Sequence, residues 1–473
     1  MKIKKNALGV CVFVTLVFAV SGQVTVGQEM GGLFIDTSRS NDASLERQRS
    51  EAKDPTVIRS RHVEISFNIL REEESQPTAS SLLLNLFGDV SLIAVKRTEE
   101  WRSATQCTWY GHIAGFEQSL VVMVVNGRNV AGNISVEGRM YQVRPVAQGI
   151  HSVREIDQSA FPKEAAPIIP EIANETHMPR SLPSIQESAE TIDVMVVYTA
   201  DAANATGDIT AEIQLAVDET NAMYENSGIN QRIQLVHSAE VDYTETGDAE
   251  LDLKRLRLRG DGFLDEVHGL RNAYYADLVC LWVEDMYDYC GMANGMVFVT
   301  PLFAAWAFSV VEHECATGGY TFAHELGHNM GAHHDWYVFP LPVPYAYSHG
   351  YVDRGYRWRT VMAYSDECEM HGTYCPRLPY FSNPDIEYES TPLGVPEGSP
   401  LPADNRKSLN NTAAAVTAFR VEGGPNPWGA ADNAEASVHG QNTLSRLTVI
   451  NELAIILIPM CAIILFGIRN RKE

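Results

Sequence analysis

His324-Glu325-Leu326-Gly327-His328-Asn329-Met330-Gly331-Ala332-His333-His334-Asp335 is the stretch of the chain richest in chemistry. His324 and His328 are four apart, so on a helix both imidazoles leave the same face, one turn apart. Two ring nitrogens placed this way can reach one ion at ~2.0–2.1 Å. Glu325 is offset around the helix, where its carboxylate can reach a water on that ion without becoming a ligand. Gly331 takes positive φ at no steric cost, so the helix can stop there and the chain can reverse. His334 then approaches the same ion from another direction. Three neutral imidazoles leave a fourth tetrahedral position open, which marks a catalytic rather than a structural zinc site. The other His-Glu pair, His313-Glu314, is set aside because Thr317 stands where a second ligand would be needed.

Around this stretch, residues 194–198 and Leu278–Val283 are continuous apolar runs of the buried-strand type, and 213–227 has helical periodicity through Ile213, Ala216, Val217 and Tyr224. Further upstream, roughly over 60–155, short alternating runs dominate, at 63–69, 91–97 and 120–125. Turn signals stand at Asn126-Gly127 and Glu137-Gly138, and the pattern predicts a small β-rich domain. Pro162, Pro167, Pro170, Pro179 and Pro183 give the stretch between the two regions a linker composition that resists packing.

The chain has 473 residues, with 60 acidic against 36 basic side chains and a formal charge of −24. Such a surface repels phosphate backbones and excludes nucleic-acid binding as the main role. Residues 1–22 combine a basic start with an apolar run and read as a signal peptide, so the body is expected to be exported. Residues 453–468 are uncharged, span ~24 Å as a helix, and are followed by Arg469, Arg471 and Lys472. Segment 449–473 therefore reads either as a membrane anchor with a cytoplasmic C-terminus or as a removable sorting signal. Either one places the protein outside the cell or at the envelope, with 423–446 as a stalk. In an oxidising compartment Cys368 with Cys375, and Cys290 with Cys315, are candidate disulfides, although spacing does not fix connectivity. Cys280, inside an apolar run, reads as a buried thiol.

The histidine stretch resembles that of the metzincin zinc endopeptidases. Thr360-Val361-Met362-Ala363-Tyr364-Ser365 resembles their Met-turn, and Asp335 after the third ligand is the adamalysin/reprolysin choice. The opening Ile192-Asp193-Val194-Met195-Val196-Val197-Tyr198-Thr199 and the closing Tyr380-Phe381-Ser382-Asn383-Pro384 are most similar to the bacterial peptidyl-Asp metalloendopeptidases. The resemblance implies an α+β metzincin-type catalytic domain over 191–422, with a twisted mixed sheet, an antiparallel edge strand, a zinc helix and a Met-turn. A propeptide over 23–185, holding the small β-rich prodomain, would precede it. The edge strand is expected at 296–300.

The same resemblance implies one catalytic Zn2+ on His324, His328 and His334, with Glu325 as general base. Met362 would form an apolar floor under the ligands, and Tyr364 would stand near the metal. Protein or peptide substrates would carry an acidic residue just after the scissile bond, met by Arg357, Arg359 or Arg377. The protein's own propeptide would act as inhibitor, either by steric cover or through Cys107 as a latency thiol; Cys107 equally reads as a strand cysteine. Ca2+ near 385–389 has no spacing to support it. Two other functions remain open at this stage. One is a catalytically inactive metzincin-fold binding or adhesion module, and the other is a zinc hydrolase acting on peptidoglycan peptides.

Overall fold

Nine antiparallel strands build the N-terminal part, in the order β1-β2-β9-β8-β7-β6-β5-β4-β3. They are β1 (Phe34–Asp36), β2 (Val57–Ile65), β3 (Ser81–Phe87), β4 (Val90–Ser103), β5 (Gln106–Ile113), β6 (Phe116–Asn126), β7 (Asn129–Val136), β8 (Arg139–Ala147) and β9 (Ile150–Ile156). The computed structural model describes residues 31–37, 42–70, 78–147, 149–170 and 191–420. Leu33 N donates to Leu83 O at 2.9 Å, so the two ends of the sheet meet and it curls into a barrel whose edges are covered. The expected run 63–69 divides: its strand ends at Ile65, and helix Phe67–Leu70 begins where Ile69 and Leu70 N–H turn back onto Ser66 O.

Strand β6 shows why this barrel does not stand alone. Val121, Met123 and Val125 point into the barrel core with Trp109, Leu84 and Val143, whereas Leu120, Val122 and Val124 join the core of the C-terminal part. A strand apolar on both faces is buried on both faces, which explains the unbroken run at 120–125. Helix Ile209–Ser227 is the element that covers it. Asp208 caps this helix by accepting from Ala211 N, and also accepts from Asn126 and Asn129 Nδ2 on the β6–β7 turn, both at 2.9 Å.

The C-terminal part is a five-stranded sheet in the order β11-β10-β12-β14-β13. Its strands are β10 (Thr191–Tyr198), β11 (Arg232–Glu240), β12 (Leu278–Val283), β13 (Gly291–Ala293) and β14 (Phe308–Glu312). All pairings are parallel except β13 with β14, which makes β13 an antiparallel edge. Alternation sorts the side chains. Val194, Val196, Cys280 and Trp282 face helix Ile209–Ser227, and Met195, Val197, Val279 and Leu281 face helices Ala249–Arg257 and Asp265–Ala273.

The edge strand is not at 296–300, where the sequence placed it. Met296 N–H donates to His328 O at 3.0 Å, so that run closes the end of the zinc helix instead of joining the sheet ladder. The expected signal peptide 1–22, the stalk 423–446 and the segment 449–473 lie outside the described residues. Among the described residues, no helix is long and apolar enough to cross a membrane.

Candidate active site

Helix Thr321–Asn329 presents His324 and His328 on one face, and the chain then turns at Gly331, whose φ is 86°. A Cβ there would lie 3.1 Å from Pro344 in a conformation that side chains avoid, so glycine is required to bring His334 back. The three Nε2 atoms converge: His324 to His328 and to His334 are each 3.1 Å, and His328 to His334 is 2.9 Å. His324 Nδ1 donates to Val361 O and His328 Nδ1 to Ala332 O, both at 2.9 Å. Those bonds fix the tautomer, so unprotonated Nε2 lone pairs face one another. Burial keeps the rings neutral, pushing His324 down to about 4 and His328 and His334 well below their ordinary value. Lone pairs this close need a cation between them, and nitrogens ~2.0–2.1 Å from one zinc ion are only ~3 Å apart.

Glu325 gives the second test of fit. It is fully buried, and neither carboxylate oxygen has a partner among the described residues. A carboxylate is not left that way without a water or ion to meet it. Burial and the charge of Glu164 push its carboxyl well up, against the pull of Arg377. Gly291 on β13 makes room for it, since a Cβ there would meet Thr321 Cγ2 at 2.6 Å and Glu325 Oε1 at 2.8 Å.

Met362 lies under the helix, fully buried, with its Sδ only 2.7 Å from where a Cβ on Gly327 would lie. The ring of Tyr364 is 4.0 Å from that of His334. Two further residues position the site, Asp335, which the sequence singled out without a role, and His349, which it did not. Asp335 accepts from Tyr364 N at 2.9 Å and Tyr337 N at 3.0 Å, tying the Met-turn to the third ligand. His349 donates from Nδ1 to His334 O at 2.9 Å and stacks on Trp336 at 3.9 Å. Asp335 directly follows a ligand and was visible for that reason, whereas His349 lies fifteen residues beyond His334 and meets it only through tertiary packing.

The three arginines separate. Arg357 is half-exposed and binds Asp353 at 2.7 Å, away from the histidines, so it does not wall the site. Arg359 is buried, donating to Cys375 O at 3.0 Å and Ala363 O at 2.7 Å. Arg377 is buried in the cavity with Thr321 and Tyr364, and it grips the carboxylate of Glu164 in two-pronged fashion, with Nη2 to Oε2 at 2.8 Å. Thr321 Oγ1 donates to the same carboxylate at 3.1 Å. Although burial works against it, the charge and hydrogen bonds of Arg377 hold the Glu164 carboxyl well below the usual range.

Glu164 comes from the proline-rich stretch expected to be a spacer. Residues 163–168 instead lie along the free side of β13: Cys290 N donates to Lys163 O (3.0 Å), Ala165 N to Gly291 O (2.8 Å), Ile168 N to Ala293 O (2.9 Å) and Gly295 N to Ile168 O (2.8 Å). Proline removes donors only at 162, 167 and 170, which leaves these bonds intact. Cys107 is not brought to the histidines. It is buried in the barrel core on β5, beside Trp109. Disulfides join Cys290 to Cys315 and Cys368 to Cys375, as paired above, and Cys280 is a buried thiol. His313 is buried, pushed down to about 4 by desolvation, and Asp385 pairs with Arg406 at 2.6 Å; neither belongs to the site.

A parallel-sheet core, a His-Glu-x-x-His helix and a third histidine beyond a glycine turn define a zinc metallopeptidase. The family model described as "Metallo-peptidase family M12" (Reprolysin_5) matches residues 188–382. Proteins called peptidyl-Asp metalloendopeptidase are similar over more of the chain. That of Xanthomonas campestris pv. campestris is 39% identical over 305 residues, 63% of this chain and 69% of that one. That of Stenotrophomonas maltophilia is 39% identical over 310 residues, 63% and 70% of the two chains. That of Pseudomonas fragi is 34% identical over 203 residues, 43% of this chain and all of its own. The chain belongs to the peptidyl-Asp metalloendopeptidase family and is a zinc metalloendopeptidase.

Proposed function

We propose that the protein is an exported endopeptidase, made as a zymogen, that cuts internal peptide bonds preceding an acidic residue, above all Asp. Zinc, when bound, supplies Lewis acidity that brings water into its nucleophilic range near neutral pH and polarises a carbonyl. Glu325 accepts the proton of the attacking water and delivers it to the leaving amine. The Tyr364 hydroxyl donates to the developing oxyanion. The free side of β13 adds an extended substrate by backbone hydrogen bonds, a mode that suits internal rather than terminal bonds.

One observation carries the specificity. Arg377 is a buried guanidinium beside the histidines, and its carboxylate partner comes from the stretch before β10, not from the C-terminal part that carries it. A buried charge of this kind requires a carboxylate in its place when that stretch departs, and Arg reads carboxylates with two-pronged geometry. The name of the relatives is in keeping with this reading, and the two disulfides suit an oxidising compartment. The complete triad with Glu325 leaves the inactive-module reading without support. The test is hydrolysis of paired peptides that differ only in Asp or Asn after the scissile bond. The Asp peptide should be cut at least tenfold faster, and equal rates would remove the preference.

A further inference from the structure

We infer that Glu164 occupies, within the same chain, the position of a substrate's acidic side chain. On this view residues 163–168 are a tethered ligand that reports what the cleft binds. The inference rests on the reading of Arg377 as the acidic pocket and goes further by naming its occupant, its partners and its consequence for latency. Three sets of contacts carry it. The carboxylate of Glu164 is buried and held by Arg377 and Thr321, and no group of the barrel competes for it in the hydrogen bonds found. Its backbone carbonyl accepts from the Tyr364 hydroxyl, which also lies 3.3 Å from Ala165 O, so the segment covers the hydroxyl assigned above to the oxyanion, while the carbonyl before the acidic residue, Lys163 O, accepts from Cys290 N instead. The flanking backbone pairs with β13 at Gly291 and Ala293 and with its neighbours Cys290 and Gly295, along the side of β13 away from β14. One short segment, running parallel to β13, therefore occupies the pocket, the hydroxyl and the edge at once and blocks all three to a peptide with an internal acidic residue.

The consequence is that latency depends on an acidic side chain and not on a thiol. A carboxylate in the pocket excludes the substrate's carboxylate by direct competition, and neutralising it loosens the segment and leaves Arg377 seeking a new partner.

The test uses the full chain, loaded with zinc and carrying Glu325→Gln so that it cannot process itself. A fluorescein-labelled peptide with one internal Asp and no Lys is titrated in, beside its Asn twin, and anisotropy is read. The chain with Glu164 should exclude both. Adding Glu164→Gln should tighten the Asp peptide at least tenfold while leaving the Asn twin out, and Glu164→Asp should still exclude. A second reading needs no variant at Glu164. An excess of the Asp peptide, but not of its Asn twin, should speed cutting after Lys163 by a lysine-specific protease, because displacement frees the segment. Asp-peptide binding that is unchanged by Glu164→Gln, or Lys163 cutting indifferent to the Asp peptide, overturns the inference even where the activated enzyme prefers Asp. Equally tight binding of the Asp and Asn peptides by the Glu164→Gln chain overturns the acidic-pocket reading itself.

Discussion

Glu325 is a buried carboxylate with both oxygens unpartnered, set beside three imidazoles whose lone pairs face one another. Replacing it with Gln keeps the shape and removes the proton acceptor. Peptide hydrolysis in the activated enzyme should fall by at least ~100-fold in kcat, with metal content unchanged by elemental analysis. Tyr364→Phe removes a hydroxyl that reaches the cleft. It should lower kcat by on the order of 100-fold and leave KM within a few-fold, the pattern of an interaction made in the transition state. Arg377→Met should abolish discrimination between Asp and Asn peptides while cutting of the Asn peptide continues. The triad was legible because its geometry is local: four residues along a helix, then a glycine. Arg377 could not be told from Arg357 by spacing, since what separates them is the partner each faces, Glu164 against Asp353.

At the scale of elements, β13 depends on Gly291. Substituting Ala would push a methyl group to within 2.8 Å of Glu325 Oε1, so strand or helix must move. Gly291→Ala should cost most of the activity while thermal unfolding shifts by only a few degrees, read by peptide hydrolysis and circular dichroism together. The sheet strands were legible from their unbroken apolar runs, and helix Ile209–Ser227 from its periodicity. The edge strand was misplaced because 296–300 has strand-like composition, yet its first N–H is spent on His328 O. Likewise, prolines at 162, 167 and 170 suggested a spacer, although every N–H that pairs with β13 lies between them.

At the scale of the molecule, the outer face of the barrel joins the apolar core of the peptidase, and an ionic cluster fastens their seam. Arg154 binds Glu51 at 2.9 Å and Glu314 at 3.0 Å, while Arg47 binds Glu314 at 2.7 Å. None of this showed in the sequence, because charges far apart in the chain reveal no partners. Burial alone would raise the Glu51 carboxyl, but His62, whose Nε2 lies 3.6 Å away, and the charge of Arg154 bring it down to about 2. An acid depressed on folding stabilises above its unfolded value near 4.5 and loses that contribution as pH falls toward 2, an effect on the order of 3 kcal/mol. The melting temperature of the wild type should therefore exceed that of Glu51→Gln at pH 6, with the gap closing between pH 4.5 and 2. A gap independent of pH would remove the ionic role of Glu51.

Metal content and peptide hydrolysis, measured on the same activated samples of wild type, His334→Ala and Glu325→Gln, test the centre most directly. The wild type should hold about one zinc per chain and cut peptides; Glu325→Gln should hold the zinc without cutting, and His334→Ala should lose both. An active wild type free of stoichiometric metal, or a His334→Ala chain that keeps both metal and activity, would contradict the account.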